Sequence, residues 1–207
     1  MSERVVLCYG DSNTWGSKPV VGGRFPRDVR WPTVLASELG DDWRILDEGL
    51  PGRTTVFDDP FDPPRNGRPY LEPCLLSHDP IDVLVLFLGT NDLSPRYTRT
   101  AGEIARGLAT LVRIATDTPY RAGGVPRILV LGLPRLGRFE AGDAYDGVTE
   151  KADRLPDALR AEPGLAGVEL LELHEIAAYA DGDGFHLDEG GHLAVGRAVA
   201  RRIAAMF

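Results

Sequence analysis

The chain is short of cysteine, short of positive charge and free of long apolar runs, and each shortage removes a class of protein. Among 207 residues only Cys8 and Cys74 are cysteines. They lack metal-type spacing and both lie in apolar stretches, so they read as buried free thiols rather than a disulfide or a ligand pair. Asp and Glu number 31 against 23 Lys and Arg, a formal net charge of −8, with no basic run to offset it. Binding to a phosphate backbone is not expected, so no nucleic-acid partner is expected either. The apolar stretch Val5 to Tyr9 is too short for a secretory leader core or a membrane span. No membrane partner is expected, and the lack of a disulfide framework makes cytoplasmic the expected location. No glycine-rich loop ends in Gly-Lys-Ser/Thr and no G-x-G-x-x-G follows the first strand, which argues against nucleotide binding. A G-x-S-x-G nucleophile elbow is also missing.

What is present is an ordinary globular balance, 43% hydrophobic and 26% charged, over a length suited to one domain spanning residues 1–207. Val5–Tyr9, Trp43–Leu46, Ile81–Leu88, Ile128–Leu133 and Val168–Leu173 read as strands. The near-unbroken apolar run at 81–88 is that of a central parallel strand covered on both faces. Helices are expected from Trp31 to Leu39, Thr100 to Thr116, Lys151 to Ala161 and His192 to Met206. In the second of these, Ile104, Leu108, Leu111, Val112 and Ala115 fall on one side. Pro51 to Pro69 and Pro134 to Asp146 read as irregular segments. Strands alternating with helices predict an α/β fold, a three-layer α/β/α sandwich with a five-stranded parallel sheet. A flavodoxin-like order, 2-1-3-4-5, would make the loops after strands 1, 2 and 3 neighbours at the ligand-binding edge.

Those loops carry Gly10-Asp11-Ser12-Asn13, Gly49-Leu50-Pro51-Gly52 and Gly89-Thr90-Asn91-Asp92, and Asp183-Gly184-Phe185-His186 lies near the end of the chain. Acyl transfer needs these parts. A serine hydroxyl is a weak nucleophile until a base takes its proton, and neutral His186 could do that for Ser12. Asp183 could hold the other ring N–H and stabilise the imidazolium. Acid pH would then stop the reaction by protonating His186. The oxyanion that forms needs donors, for which Ser12 N–H, Gly52 N–H and the Asn91 side-chain amide are candidates.

The order of these blocks resembles that of the SGNH hydrolases, also called GDSL esterases, whose four namesake residues map onto Ser12, Gly52, Asn91 and His186, with Asp183 as triad acid. Gly10-Asp11-Ser12-x-Thr14-Trp15-Gly16, Arg30-Trp31, Glu48-Gly49-Leu50-x-x-Arg53-Thr54-Thr55, Asp58-Asp59-Pro60 and Leu88-Gly89-Thr90-Asn91-Asp92 are similar to the arylesterase and acyltransferase branch. The likeness covers most of residues 5–92 and returns at 181–192, while 134–167 finds no match. Asn13 stands where many members have Leu, and Ser17 where the branch often has an aromatic. The resemblance implies a serine esterase acting on small or aryl esters, with no metal or organic cofactor. It also implies acyl transfer to alcohols in some members, and a homo-oligomer.

Several residues compete for these roles. Ser12 could be a helix N-cap, Asn91 a turn residue and Gly52 a turn glycine. Asp11 and Asp92 read as structural residues of their loops. His192 competes with His186, and Asp181 with Asp183, but only His186 has an acid three residues before it in the family pattern. His78 and His174 read as local hydrogen-bonding residues. Trp15 and Phe185 are candidates for lining the substrate pocket, as is Tyr97. Two other function classes compete with this reading. A metal-dependent phosphoesterase would use Asp11, Asn91, Asp92, Asp183 and His186 as ligands and would be sensitive to EDTA. A non-catalytic binding domain would have no reason to keep all five of Ser, Gly, Asn, Asp and His.

Overall fold

Strand β1 (Arg4–Gly10) is apolar at every position from Val5 to Tyr9 and is buried there on both faces. The computed structural model describes residues 3–139 and 147–207, so the end of the irregular segment expected at Pro134 to Asp146 lies outside the described residues. Strand β1 pairs in parallel with β2 (Trp43–Gly49) on one side and β3 (Val83–Phe87) on the other. Next come β4 (Arg127–Leu131) and β5 (Glu169–Leu171), giving the order β2-β1-β3-β4-β5. Every residue of β3 is buried, as its unbroken apolar run requires, whereas edge strand β2 is at most half-buried.

One helix pair, α2 (Trp31–Leu39) and α6 (Glu189–Ala204), packs together, and α4 (Ala101–Asp117) touches both α3 (Gly67–His78) and α5 (Val148–Ala161). These groups make the outer layers of the three-layer sandwich. Gly196 sets the α2–α6 approach: a β-carbon there would lie 2.6 Å from Val34 Cβ. Helix α4 starts with a capping box, Thr100 accepting from Glu103 N–H and Glu103 reaching back to the Thr100 backbone. Its five expected core residues are all buried.

Three expectations need correction. Helix α3 was not foreseen, because Gly67, Pro69 and Pro73 interrupt its sequence. Its signal is the spacing of Leu71, Cys74, Leu75 and His78, and Pro69 sits in the first turn, where a missing N–H costs nothing. The last strand is shorter than expected, since Leu173–Glu175 forms a 3-10 turn. Helix α6 starts three residues early because Asp188, not a residue near His192, is its N-cap, accepting from Gly191 N–H at 2.7 Å.

His192 is therefore inside α6 and fully buried, its Nδ1 3.3 Å from the Trp31 amide that donates to it. Burial lowers its pKa to about 4; the charges of His186 and Arg30 push the same way and Asp188 opposes them. Because the unfolded chain binds this proton more readily, stability is full above the unfolded pKa and is lost as pH falls towards 4. That loss reaches roughly 3 kcal/mol at pH 4. Buried Asp11 and Asp92, both raised to about 6, work in the opposite sense. We expect the stability gap between wild type and His192→Asn to shrink by roughly 3 kcal/mol from pH 7.5 to pH 4, measured by urea unfolding. A constant gap would mean that His192 does not titrate as buried.

Candidate active site

At the carboxyl end of β1 the chain turns through Asp11 into a one-turn helix, α1 (Ser12–Trp15). Asp11 is its N-cap, accepting from Asn13 N–H at 2.8 Å, so Ser12 is not needed as a cap. Ser12 Oγ lies 3.0 Å from His186 Nε2, and His186 Nδ1 lies 3.0 Å from Asp183 Oδ2. Burial pushes the Asp183 carboxyl up, but N–H bonds from Phe185 and Val20 and the bond to His186 outweigh it and hold it below the usual range. An ionised carboxylate only accepts, so Nδ1 carries the ring proton and Nε2 presents its lone pair to the Ser12 hydroxyl. Both candidate competitors are occupied elsewhere. Asp181 pairs with Arg138 at 2.8 Å, and His192 holds α2. His78 Nε2 meets Glu48 at 3.0 Å, and His174 Nδ1 lies 3.3 Å from Glu172.

The loop after β2 reaches the same edge. Gly52 adopts φ +81, a left-handed conformation that favours glycine. Next to it, buried Arg53 donates to the carbonyls of Gly10 and Glu48, which tie together the ends of β1 and β2. Asp92, after β3, accepts from Thr55 N–H at 3.0 Å and from Thr55 Oγ1 at 2.5 Å, pinning this loop to its neighbour. Asn91 Nδ2 donates to the Arg53 carbonyl at 2.9 Å and lies 3.4 Å from Asp11 Oδ2.

Ser12, Thr90, Asn91, Ser94, Arg96, Val148, Phe185 and His186 line a cavity of about 220 Å³. Gly52 lines an adjoining cleft of about 370 Å³ with Phe61, Arg65 and Tyr97, and the two spaces share Asn91, Ser94 and Arg96. Phe185 lies at this cavity. Trp15 is not among the cavity's lining residues: its ring carries the Arg24 guanidinium at 4.7 Å, held there by a bond from Arg24 to the Trp15 carbonyl. Among the described residues, Asp11, Asp92, Asp183 and His186 do not converge as metal ligands.

The sequence marks Asn13 only as a departure from the Leu common in the family. Its side chain is fully buried, donates through Nδ2 to the Phe185 carbonyl at 3.0 Å and accepts through Oδ1 from Leu187 N–H at 3.0 Å. It therefore grips the backbone on both sides of His186 from the position next to Ser12. The only hint in the sequence was a polar residue at an apolar position beside the serine.

A family model, the GDSL-like lipase/acylhydrolase family, matches residues 8–194. The fold is similar to a carbohydrate acetylesterase from Sinorhizobium meliloti, with TM-score 0.92 and 35% identity over 99% of this chain and 100% of that one. It is equally similar to an aryl esterase from M. smegmatis, with TM-score 0.92 and 33% identity over the same shares of the two chains. No curated protein matches. No helix among the described residues is long and apolar enough to cross a membrane. The chain belongs to the GDSL-like lipase/acylhydrolase family, in its arylesterase branch, and is a serine esterase.

Proposed function

We propose that this esterase works through an acyl-enzyme on Ser12, with His186 as base and acid and Asp183 as its orienting partner. The observation that carries the reading is the unbroken chain from Ser12 Oγ through His186 to Asp183, each link 3.0 Å long. As Ser12 Oγ bonds to the ester carbon, its proton passes to His186 Nε2. His186 then returns that proton to the leaving alcohol as the C–O bond breaks. Water, deprotonated in the same way, releases the acid and restores Ser12.

The oxyanion is bound by Ser12 N–H, Gly52 N–H and the Asn91 amide. One Asn91 hydrogen stays on the Arg53 carbonyl, and the oxyanion takes over the hydrogen that faces Asp11 at 3.4 Å, the weaker contact. A cavity of about 220 Å³ suits a short acyl group such as acetyl. The adjoining cleft leaves room for an aryl or hydroxylated alcohol. We read residues 1–207 as one hydrolase domain, since Ser12 and His186, 174 residues apart, meet at one edge of a single sheet. The family likeness also supports a homo-oligomer, and exposed Val20, Val21 and Phe61 are apolar side chains that it would cover.

Ser12→Ala should reduce p-nitrophenyl acetate hydrolysis to background, and an organophosphate should add once to wild type, at Ser12, by mass spectrometry. A fully active variant, or an adduct elsewhere, removes Ser12 from the chemistry. With a neutral alcohol added, new ester should form alongside free acid, as measured by chromatography, if the acyl-enzyme is open to alcohols. Acid alone at every alcohol concentration would confine the enzyme to hydrolysis. Asn13→Leu should lower kcat about 30-fold with KM within about twofold, because two bonds worth about 1 kcal/mol each no longer hold His186 over Ser12. Organophosphate labelling should slow in parallel, and Asn13→Asp, which keeps the acceptor, should recover part of the rate. An unchanged kcat would show that the loop positions His186 without this grip.

A further inference from the structure

On the other side of β2's carboxyl end lies a second group of reactive side chains that the ester chemistry does not use. Glu48 from β2 and Cys74 and His78 from α3 bring a carboxylate oxygen, a thiol sulfur and an imidazole nitrogen within 4.8 Å of one another. Cys74 and His78 are four residues apart, so they project from one face of the helix. Among the described residues no other three such groups converge. We propose that Glu48, Cys74 and His78 form a binding site for one zinc-type transition-metal ion, separate from the catalytic centre.

The donor set favours this class of ion. Sulfur, imidazole nitrogen and one carboxylate suit zinc, whereas calcium and magnesium require oxygen throughout. Zinc bonds of about 2.0–2.3 Å place tetrahedral donors roughly 3.5 Å apart, so closure by about an ångström completes the set. Glu48 and His78 are only half-buried and can make that movement, while Cys74 is fixed in the core. Glu48 and His78 already touch, Oε1 to Nε2 at 3.0 Å. Tyr70 donates to the other Glu48 oxygen at 3.3 Å, an orienting bond of the kind that metal-bound carboxylates receive.

Charge also balances. A thiolate and a carboxylate offset a dication, leaving a neutral site in a half-buried place. Zinc binds a cysteine as the thiolate, so the Cys74 thiol proton goes to buffer as the ion binds. A water completes the fourth position. The ion would join the end of edge strand β2 to the last turn of α3.

Cobalt(II) and zinc(II) titrations of the purified chain, stripped with a chelator, provide the test. The expected result is one cobalt per chain, with a sulfur-to-cobalt charge-transfer band and the intense visible bands of a tetrahedral site. Zinc should displace the band, and saturating zinc should raise the melting temperature by about 5 °C. Cys74→Ser should abolish the band and His78→Gln should weaken binding at least tenfold, while Ser12→Ala binds as wild type does. Ester hydrolysis by the Cys74 and His78 variants reports that they fold. The metal readout does not depend on esterase activity, so it stands or falls apart from the proposed mechanism. No band at stoichiometric cobalt, or one that survives in Cys74→Ser, overturns the proposal.

Discussion

The 3.0 Å contact between Ser12 Oγ and His186 Nε2 joins groups 174 residues apart in sequence, and the surrounding structure is arranged to hold it. One partner stands on the first turn after β1. The other hangs on the loop between Ala180 and Leu187, which lies outside any helix or strand. A loop alone would leave the imidazole free to wander from Ser12. Restraint comes from backbone hydrogen bonds. Asp183 accepts from the amides of Phe185 and His186, the Ala180 amide donates to the His186 carbonyl, and Asn13 binds the residues on either side of His186.

The parallel sheet places the remaining parts. β1 lies between β2 and β3 in register, Gly10 opposite Gly49 and Phe87, so three strands end at one level. Loops leaving that level are neighbours by construction. Side chains then lock them laterally. Arg53 spans the ends of β1 and β2, Asp92 holds Thr55, and Asn91 reaches the Arg53 carbonyl. These buried polar groups are costly unless paired, and each is paired with a neighbouring loop.

That pairing has an electrostatic cost. Asp11 and Asp92 are both fully buried, and burial raises each to about 6. The Asp183 carboxyl, more open and bonded by three amides and an imidazole, goes the other way. Two kinds of carboxylate thus share one site. Asp183, the carboxylate beside the imidazole, is held by four donors.

Local pattern determined a large part of this protein. Unbroken apolar runs marked the strands, a 3.6-residue spacing marked α4, and the motif blocks at 10–13, 49–52, 89–92 and 183–186 named the residues that meet at the site. Such signals are legible because they depend on neighbours in the chain. Helix α3 escaped because its prolines and glycine mask a three-residue apolar face, Leu71, Cys74 and Leu75, that only the core beneath it makes worth burying. Where the Trp15 ring lies was decided by Arg24, and the value of Asn13 by a loop at the far end of the chain. Cys74 is the buried free thiol that its apolar stretch implies, and only the fold brings Glu48 near it. Sequence fixes which groups are available and which element carries them. Hydrogen-bond and ligand partners drawn from distant segments exist only once the sheet has closed, so tertiary structure alone decided those.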